Sequence, residues 1–141
     1  MKLDEFTIGQ VFKTKSFKLS KEDIMRFAGE FDPQYMHVNE EKANQGRFNG
    51  IIASGIHTLA ISFKLWVEQG MYGDDVIAGT QMNNIKFIKP VYPNDELHTI
   101  VEVINKEAKK KETGILTVLL TTFNDKEEKV FEGDLSVLIR R

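Results

Sequence analysis

The stretch Ile51 to Gly70, "IIASGIHTLAISFKLWVEQG", limits the folds open to this chain more than any other. Ser54 and Gly55 mark a helix start and Gly70 a stop, following the capping asymmetry of helix ends. Between them Ile56, Leu59, Ala60, Phe63, Trp66 and Val67 recur at helical spacing as one apolar stripe, while Ile61 and Leu65 carry apolar character round the other side. A helix apolar over so much of its circumference has to be wrapped by other structure. A bilayer is not that wrapping: Ser54, Gly55, His57, Thr58, Ser62 and Lys64 break the run that a membrane span requires.

The second half of the chain supplies the wrapping. After Gly70 the pattern changes to period two, and "QMNNIKFI", "ELHTIVEVIN", "ILTVLLTTFN" and "VFEGDLSVLI" read as strands. The connections "KEAKKKETG" and "NDKEEK" are short and polar, which makes the last three strands an antiparallel meander and the lysine run a solvated hairpin tip. "VYPNDEL" is a turn entering a strand, with Pro93 and Asn94 supplying the restricted and left-handed conformations. The fold class is α+β, a long antiparallel sheet curled around one central helix. Such a sheet leaves an edge strand open, so a dimer that covers it is expected.

Residues 1–141 are read as a single domain, long enough to bury a core without disulfides or metals. Hydrophobic residues at 41% beside 28% charged residues exclude a disordered chain, and a net charge of -2 gives no nucleic-acid footprint. Cysteine is absent, which removes disulfide, zinc-thiolate and cysteine-nucleophile chemistry together. The first residues, "MKLDEFTIGQ", carry acids where a secretory leader needs an apolar core, so a cytoplasmic location is expected.

Upstream of the central helix, Ser20 and Asp23 form a helix-start signal, and Ile24, Phe27, Ala28 and Phe31 continue at helical spacing. Pro33 disfavours the helical region for Asp32 and stops that helix near Phe31. Asn39 is placed to cap a second short helix, "EEKANQ", ending near Gly46. Between these helices lies "FDPQYMH". On a continuous helix, Asp32 and His37 would point roughly 140 degrees apart, given about 3.6 residues per turn. The break at Pro33 lets an irregular loop turn both side chains into one cavity, where an imidazole titrating near neutrality takes a proton from water and a carboxylate orients that water. Gly55 is the third element. At the positive end of the buried helix, its amide can receive a carbonyl oxygen that becomes negative during reaction, and its missing side chain allows close approach. The same glycine also suits plain tight packing at a helix start.

Together these residues resemble the MaoC-like acyl dehydratases and (R)-specific enoyl-CoA hydratases, proteins of the hot-dog fold. The resemblance extends over nearly the whole chain, through "LSKEDIMRFAGEFDPQYMH", "IIASGIHTLA" and "IKFIKPVYPNDEL". It implies that Asp32 and His37 are the catalytic pair and that the Gly55 amide polarises a thioester carbonyl. The implied reaction is reversible syn addition of water to a trans-2-enoyl-CoA, giving an (R)-3-hydroxyacyl-CoA. It further implies dimers or dimer-based assemblies and no metal or redox cofactor, coenzyme A entering only as the substrate's thiol carrier. Ser54 and Gln34, beside the glycine and the pair, are assigned with Gly55 to substrate binding.

Two departures stand out. The hydratase signature usually has asparagine two residues after the aspartate and then proline, whereas this chain has Pro33 followed by Gln34. That variant occurs among MaoC-like dehydratases, so it bears on the substrate rather than on the family. Some hydratases also carry a serine eight residues after the glycine, where this chain has Phe63. Of the remaining candidates, His57 is read as a neutral packing or hydrogen-bonding residue, because a charged imidazole is disfavoured at a positive helix end. His98 is expected on an exposed strand face, and three histidines so dispersed make no compact metal motif. Lys86, Lys89 and Arg47 are read first as solvated surface charges and are also candidates to meet CoA phosphates. Two other functions stay open: a hot-dog acyl-CoA thioesterase, and a non-catalytic acyl-CoA-binding subunit.

Overall fold

The computed structural model describes residues 1–141. Two short strands, β1 (Val11–Lys13) and β2 (Phe17–Lys18), lead into four helices: α1 (Lys21–Phe31), α2 (Tyr35–Val38), α3 (Glu40–Asn44) and α4 (Gly55–Glu68). Four long strands complete the chain, β3 (Val76–Phe87), β4 (Glu96–Ala108), β5 (Thr113–Phe123) and β6 (Lys129–Arg140). The helix starts form as their capping residues require. The Ser20 hydroxyl accepts from the Asp23 N–H, and the Asn39 side chain accepts from the Lys42 N–H. Past the end of α4, Gly70 takes φ +79, a left-handed conformation that costs glycine little.

The sheet runs β1-β4-β5-β6-β3, with β2 also on β4, and every pairing is antiparallel. β4, β5 and β6 form the meander that their short polar connections dictate. β3 closes onto β6 in a pairing that slips register between Val76 and Ala78, between Gly79 and Gln81, and between Asn83 and Lys86. Such bulges bend and twist a strand, which helps this edge follow the curl of the sheet. Buried and half-buried residues alternate along all of β5, so one of its faces lies against the core. The sheet curls around α4, burying Leu65 and Trp66 against Val101, Val103, Leu116, Val118 and Ile139. Full burial of an aliphatic side chain of this size contributes about 1.5–3 kcal/mol.

The face that α4 presents to the sheet differs from the apolar stripe expected from sequence. His57, Thr58, Ile61, Ser62, Leu65 and Trp66 are buried, whereas Ile56, Phe63 and Val67 remain 51%, 38% and 41% exposed. One of the small polar residues, Ser62, turns inward because hydroxyl partners await it. Ser62 Oγ donates to the Thr58 carbonyl and lies 2.5 Å from Thr122 Oγ1 on β5, which in turn lies 2.7 Å from Thr99 Oγ1 on β4. A satisfied buried hydroxyl costs little, and its small size lets the helix approach the sheet closely. His98 also departs from expectation. It is only 9% exposed, its ring stacked on Phe123 at 5.6 Å.

Candidate active site

Three local events converge. α1 ends at Phe31, and Asp32 leaves helical geometry at φ -154 and ψ 71, ahead of Pro33. The chain then makes one helical turn, α2, whose buried residue is His37. The sequence predicted an irregular loop as far as the histidine; the structure breaks only the three residues Asp32 to Gln34 and puts His37 on the next turn. Finally, residues 52 and 53 are pinned beside that turn, Ile52 N–H donating to the Met36 carbonyl at 3.1 Å and Ala53 N–H to the Val91 carbonyl at 2.8 Å. This sets the start of α4 against α2.

His37 Nε2 lies 3.3 Å from Asp32 Oδ2, with the two side chains 7% and 15% exposed. His37 Nδ1 lies 2.6 Å from the Ile52 carbonyl oxygen. A carbonyl only accepts, so Nδ1 carries the proton of that bond, and in the neutral ring Nε2 keeps its lone pair. The carboxylate facing it is also an acceptor, tied by Gln34 Nε2 donating to Oδ1 at 2.7 Å and Ser54 Oγ donating to Oδ2 at 2.6 Å. Those donors, Ser54 foremost and Gln34 next, hold the Asp32 carboxyl below its ordinary pKa of 3.8 against the opposing effect of burial. Two acceptors 3.3 Å apart either share a proton or jointly hold a donor such as water. Such a pair can take up and return one proton.

A pocket of about 340 Å³ opens beside the pair, lined by His37, Phe48, Gly55, Thr58, Phe87 and Lys89 among others. Asp32, Gln34 and Ser54 lie outside this lining, Asp32 half-buried, Ser54 fully buried and Gln34 exposed. Gly55 occupies the first helical position of α4, where no intrahelical acceptor exists, and its N–H donates to no other backbone carbonyl. The space that a side chain would occupy there is filled by Phe87, since a Cβ on Gly55 would fall 2.7 Å from Phe87 Cδ1. Gly55 thus serves tight packing and presents a free amide at once.

Residues 5–124 match the model of the MaoC like domain. The chain belongs to this family. Over all 141 residues it is 79% identical to YdeM, an uncharacterized protein of Bacillus subtilis (strain 168), each chain being covered completely. The crystal structure of a MaoC-like dehydratase from Rhodospirillum rubrum superposes with a TM-score of 0.91 at 31% identity, over 100% of this chain and 97% of that one. The (R)-hydratase PhaJ1 of Pseudomonas aeruginosa is more distant, with a TM-score of 0.76 at 21% identity over 98% and 84% of the two chains, and shows the shared fold. The architecture is the hot-dog fold.

The other sequence candidates of this MaoC-like chain separate by place. Lys89 borders the pocket and is ion-paired with Glu128 at 2.6 Å, whereas Arg47 and Lys86 are exposed outside the lining. His57 lies on the α1 side of α4, its ring stacked on Phe27 at 4.2 Å, and burial pushes its pKa below the usual 6.5. It is a neutral packing residue. Thr58, Phe48 and Phe87 line the pocket without having been singled out from sequence. The signal for Thr58 was its position three residues after Gly55, on the same face of the helix. Phe87 left none, because its position opposite Gly55 depends on how β3 crosses the start of α4.

Proposed function

We propose that this MaoC-like protein catalyses reversible hydration of 2-enoyl thioesters, with coenzyme A or an acyl carrier protein as the thiol carrier. One observation carries the reading: His37, backed by Asp32, and the unpartnered N–H of Gly55 border a single pocket. The thioester carbonyl accepts from the Gly55 N–H, and the positive end of α4 stabilises the negative charge that grows on that oxygen. Carbon 3 of the enoyl group becomes electrophilic. A water bound beside His37 Nε2 and Asp32 Oδ2 loses a proton to the pair as its oxygen bonds to carbon 3. The pair returns a proton to carbon 2 from the same face, so that addition is syn and yields the (R)-3-hydroxyacyl thioester. In reverse the same groups eliminate water, and neither direction needs a metal or redox group. Lys89 at the pocket border meets a phosphate of the carrier, and Thr58 shapes the acyl end.

The test is spectroscopic. Loss of the enoyl-thioester absorbance without release of free thiol is expected on mixing protein with trans-2-enoyl-CoA, and the product is expected to be the (R) isomer. Free thiol from saturated acyl-CoA would make the protein a thioesterase. Tight acyl-CoA binding with no turnover of any chain length would make it a binding subunit.

We further propose that the working form is a homodimer. β3 is a sheet edge with Ile77, Met82 and Phe87 exposed, and α4 leaves Ile56, Phe63 and Val67 uncovered nearby. An open apolar edge of this kind invites a second copy. Ile77→Lys combined with Met82→Lys is expected to shift the sedimentation-equilibrium mass from dimer to monomer, and an unchanged mass would remove β3 from the interface.

A further inference from the structure

The hydrogen bond between Ser54 and Asp32 joins two helix ends that are 22 residues apart in the chain. Ser54 is the N-cap of α4 and Asp32 the C-cap of α1. As a cap, Ser54 Oγ needs only to accept, and it accepts from the Ile56 N–H at 3.3 Å. Its one proton is free for another partner and goes to Asp32 Oδ2 at 2.6 Å. A helix cap alone does not call for that second bond. The side chain is 0% exposed and lies outside the pocket lining, so it does not meet substrate from this position.

We infer that Ser54 is a positioning residue, whose hydroxyl ties the Asp32 carboxylate to the start of α4 and so fixes the proton-handling pair relative to the neighbouring Gly55 N–H. The inference rests on the reading under Proposed function for its catalytic meaning, but the tie itself is independent of it. Two electrostatic facts favour it. Asp32 closes α1, whose C-terminal end carries partial negative charge and disfavours a carboxylate, whereas the start of α4 carries partial positive charge and favours one. Ser54 transmits that second field through a short bond. Gln34 supplies the other donor, to Oδ1, from an exposed side chain two residues away, so it adds charge stabilisation without linking Asp32 to α4. His37 on α2 is the one titratable group facing Asp32; Ser54 and Gln34 are neutral. Because Ser54 and Gly55 are adjacent in the chain, the bond from Ser54 ties the carboxylate, and the imidazole facing it, to the segment that carries the amide.

Ser54→Ala and Ser54→Gly separate this role from capping, since glycine is tolerated at an N-cap while alanine is not. The carboxyl carbon of Asp32 is followed by NMR through an acid titration, with melting temperature as a control for folding. In both variants the Asp32 midpoint is expected to rise by about one pH unit, the value of a hydrogen bond to a charged group. The acid limb of the pH profile of kcat/KM is expected to move up with it. kcat is expected to fall by about tenfold or more with little change in KM, because Ser54 acts behind the pocket. Ser54→Thr, which retains the hydroxyl, is expected to hold the Asp32 midpoint near its wild-type value. Unmoved midpoints in both the alanine and glycine variants, with only the alanine variant melting earlier, would reduce Ser54 to a helix cap and overturn the inference. A wild-type protein inactive on every enoyl thioester would sink the hydratase reading instead, and the carboxyl titration would still decide whether Ser54 holds Asp32.

Discussion

Asp32→Asn and His37→Ala are each expected to lower kcat/KM for enoyl-thioester hydration by about 10²–10⁴-fold, the range in which a positioned acid–base group contributes. The double variant is expected to be scarcely worse than either single one. The two side chains face each other across 3.3 Å, Nε2 against Oδ2, and in the proposed mechanism act on the same water; groups that act as a unit lose their function together. Simple additivity of the two losses would show that the residues act in separate steps, and retention of full activity by either variant would remove it from the mechanism. Asp32→Asn also has a stability signature. The folded-state pKa of Asp32 lies below its ordinary value of 3.8, so its ionisation favours the folded state above that value, and the benefit disappears as pH falls through the lowered folded-state pKa. Asparagine does not titrate, so acid unfolding of Asp32→Asn should depend less steeply on pH below about 4 than that of the wild type.

The second large effect is expected at Gly55. Gly55→Ala leaves the N–H in place but sets a methyl group 2.7 Å from Phe87 Cδ1, so the ring, the helix start or both must shift. Misplacement of a catalytic group by an ångström costs about 10²-fold, and that is the expected loss in kcat/KM. Stability is expected to fall by about 1–3 kcal/mol, as for other overpacked sites, offset in part by the better helix propensity of alanine. Phe87→Ala in the same chain makes the experiment decisive, because it removes the ring that the methyl meets. Stability is then expected to recover relative to Gly55→Ala. If activity recovers with it, the glycine serves the ring alone. If activity stays low, the bare Cα is needed for the substrate to reach the amide, as the proposed mechanism requires.

Much of this site was legible before any fold was known. Proline after Asp32 ends α1 wherever the helix packs, the Ser54 and Gly55 pair opens α4, and the order Asp32, His37, Gly55 already matched a family pattern. Ser54 and Gln34 were assigned to substrate binding, yet both lie outside the pocket lining with their side chains turned to Asp32, and no spacing rule announces a hydroxyl that bonds across 22 residues. The expected exposure of His98 failed for a related reason. Alternation assigns it to a face but does not reveal that Phe123 covers that face.

The sequence by itself determined where α1, α3 and α4 start, where α1 and α4 stop, the strand meander that follows, and that one helix is enclosed by the sheet, whereas the single turn of α2 and the short strands β1 and β2 left no such mark. Caps, proline stereochemistry and periods of 3.6 and 2 act over a few residues, so each leaves its mark in the local string. Only the tertiary structure decided which face of α4 meets the sheet, which nitrogen of His37 carries the proton, what holds Asp32, and which ring lies on Gly55. Each of these depends on a group brought close by the path of the whole chain: Thr122 beneath Ser62, the Ile52 carbonyl beside His37, Ser54 against Asp32, and Phe87 across from Gly55. Hydrogen bonding and steric exclusion act over a few ångströms of space, whatever the distance along the chain, and that is why these features came into view only with the fold.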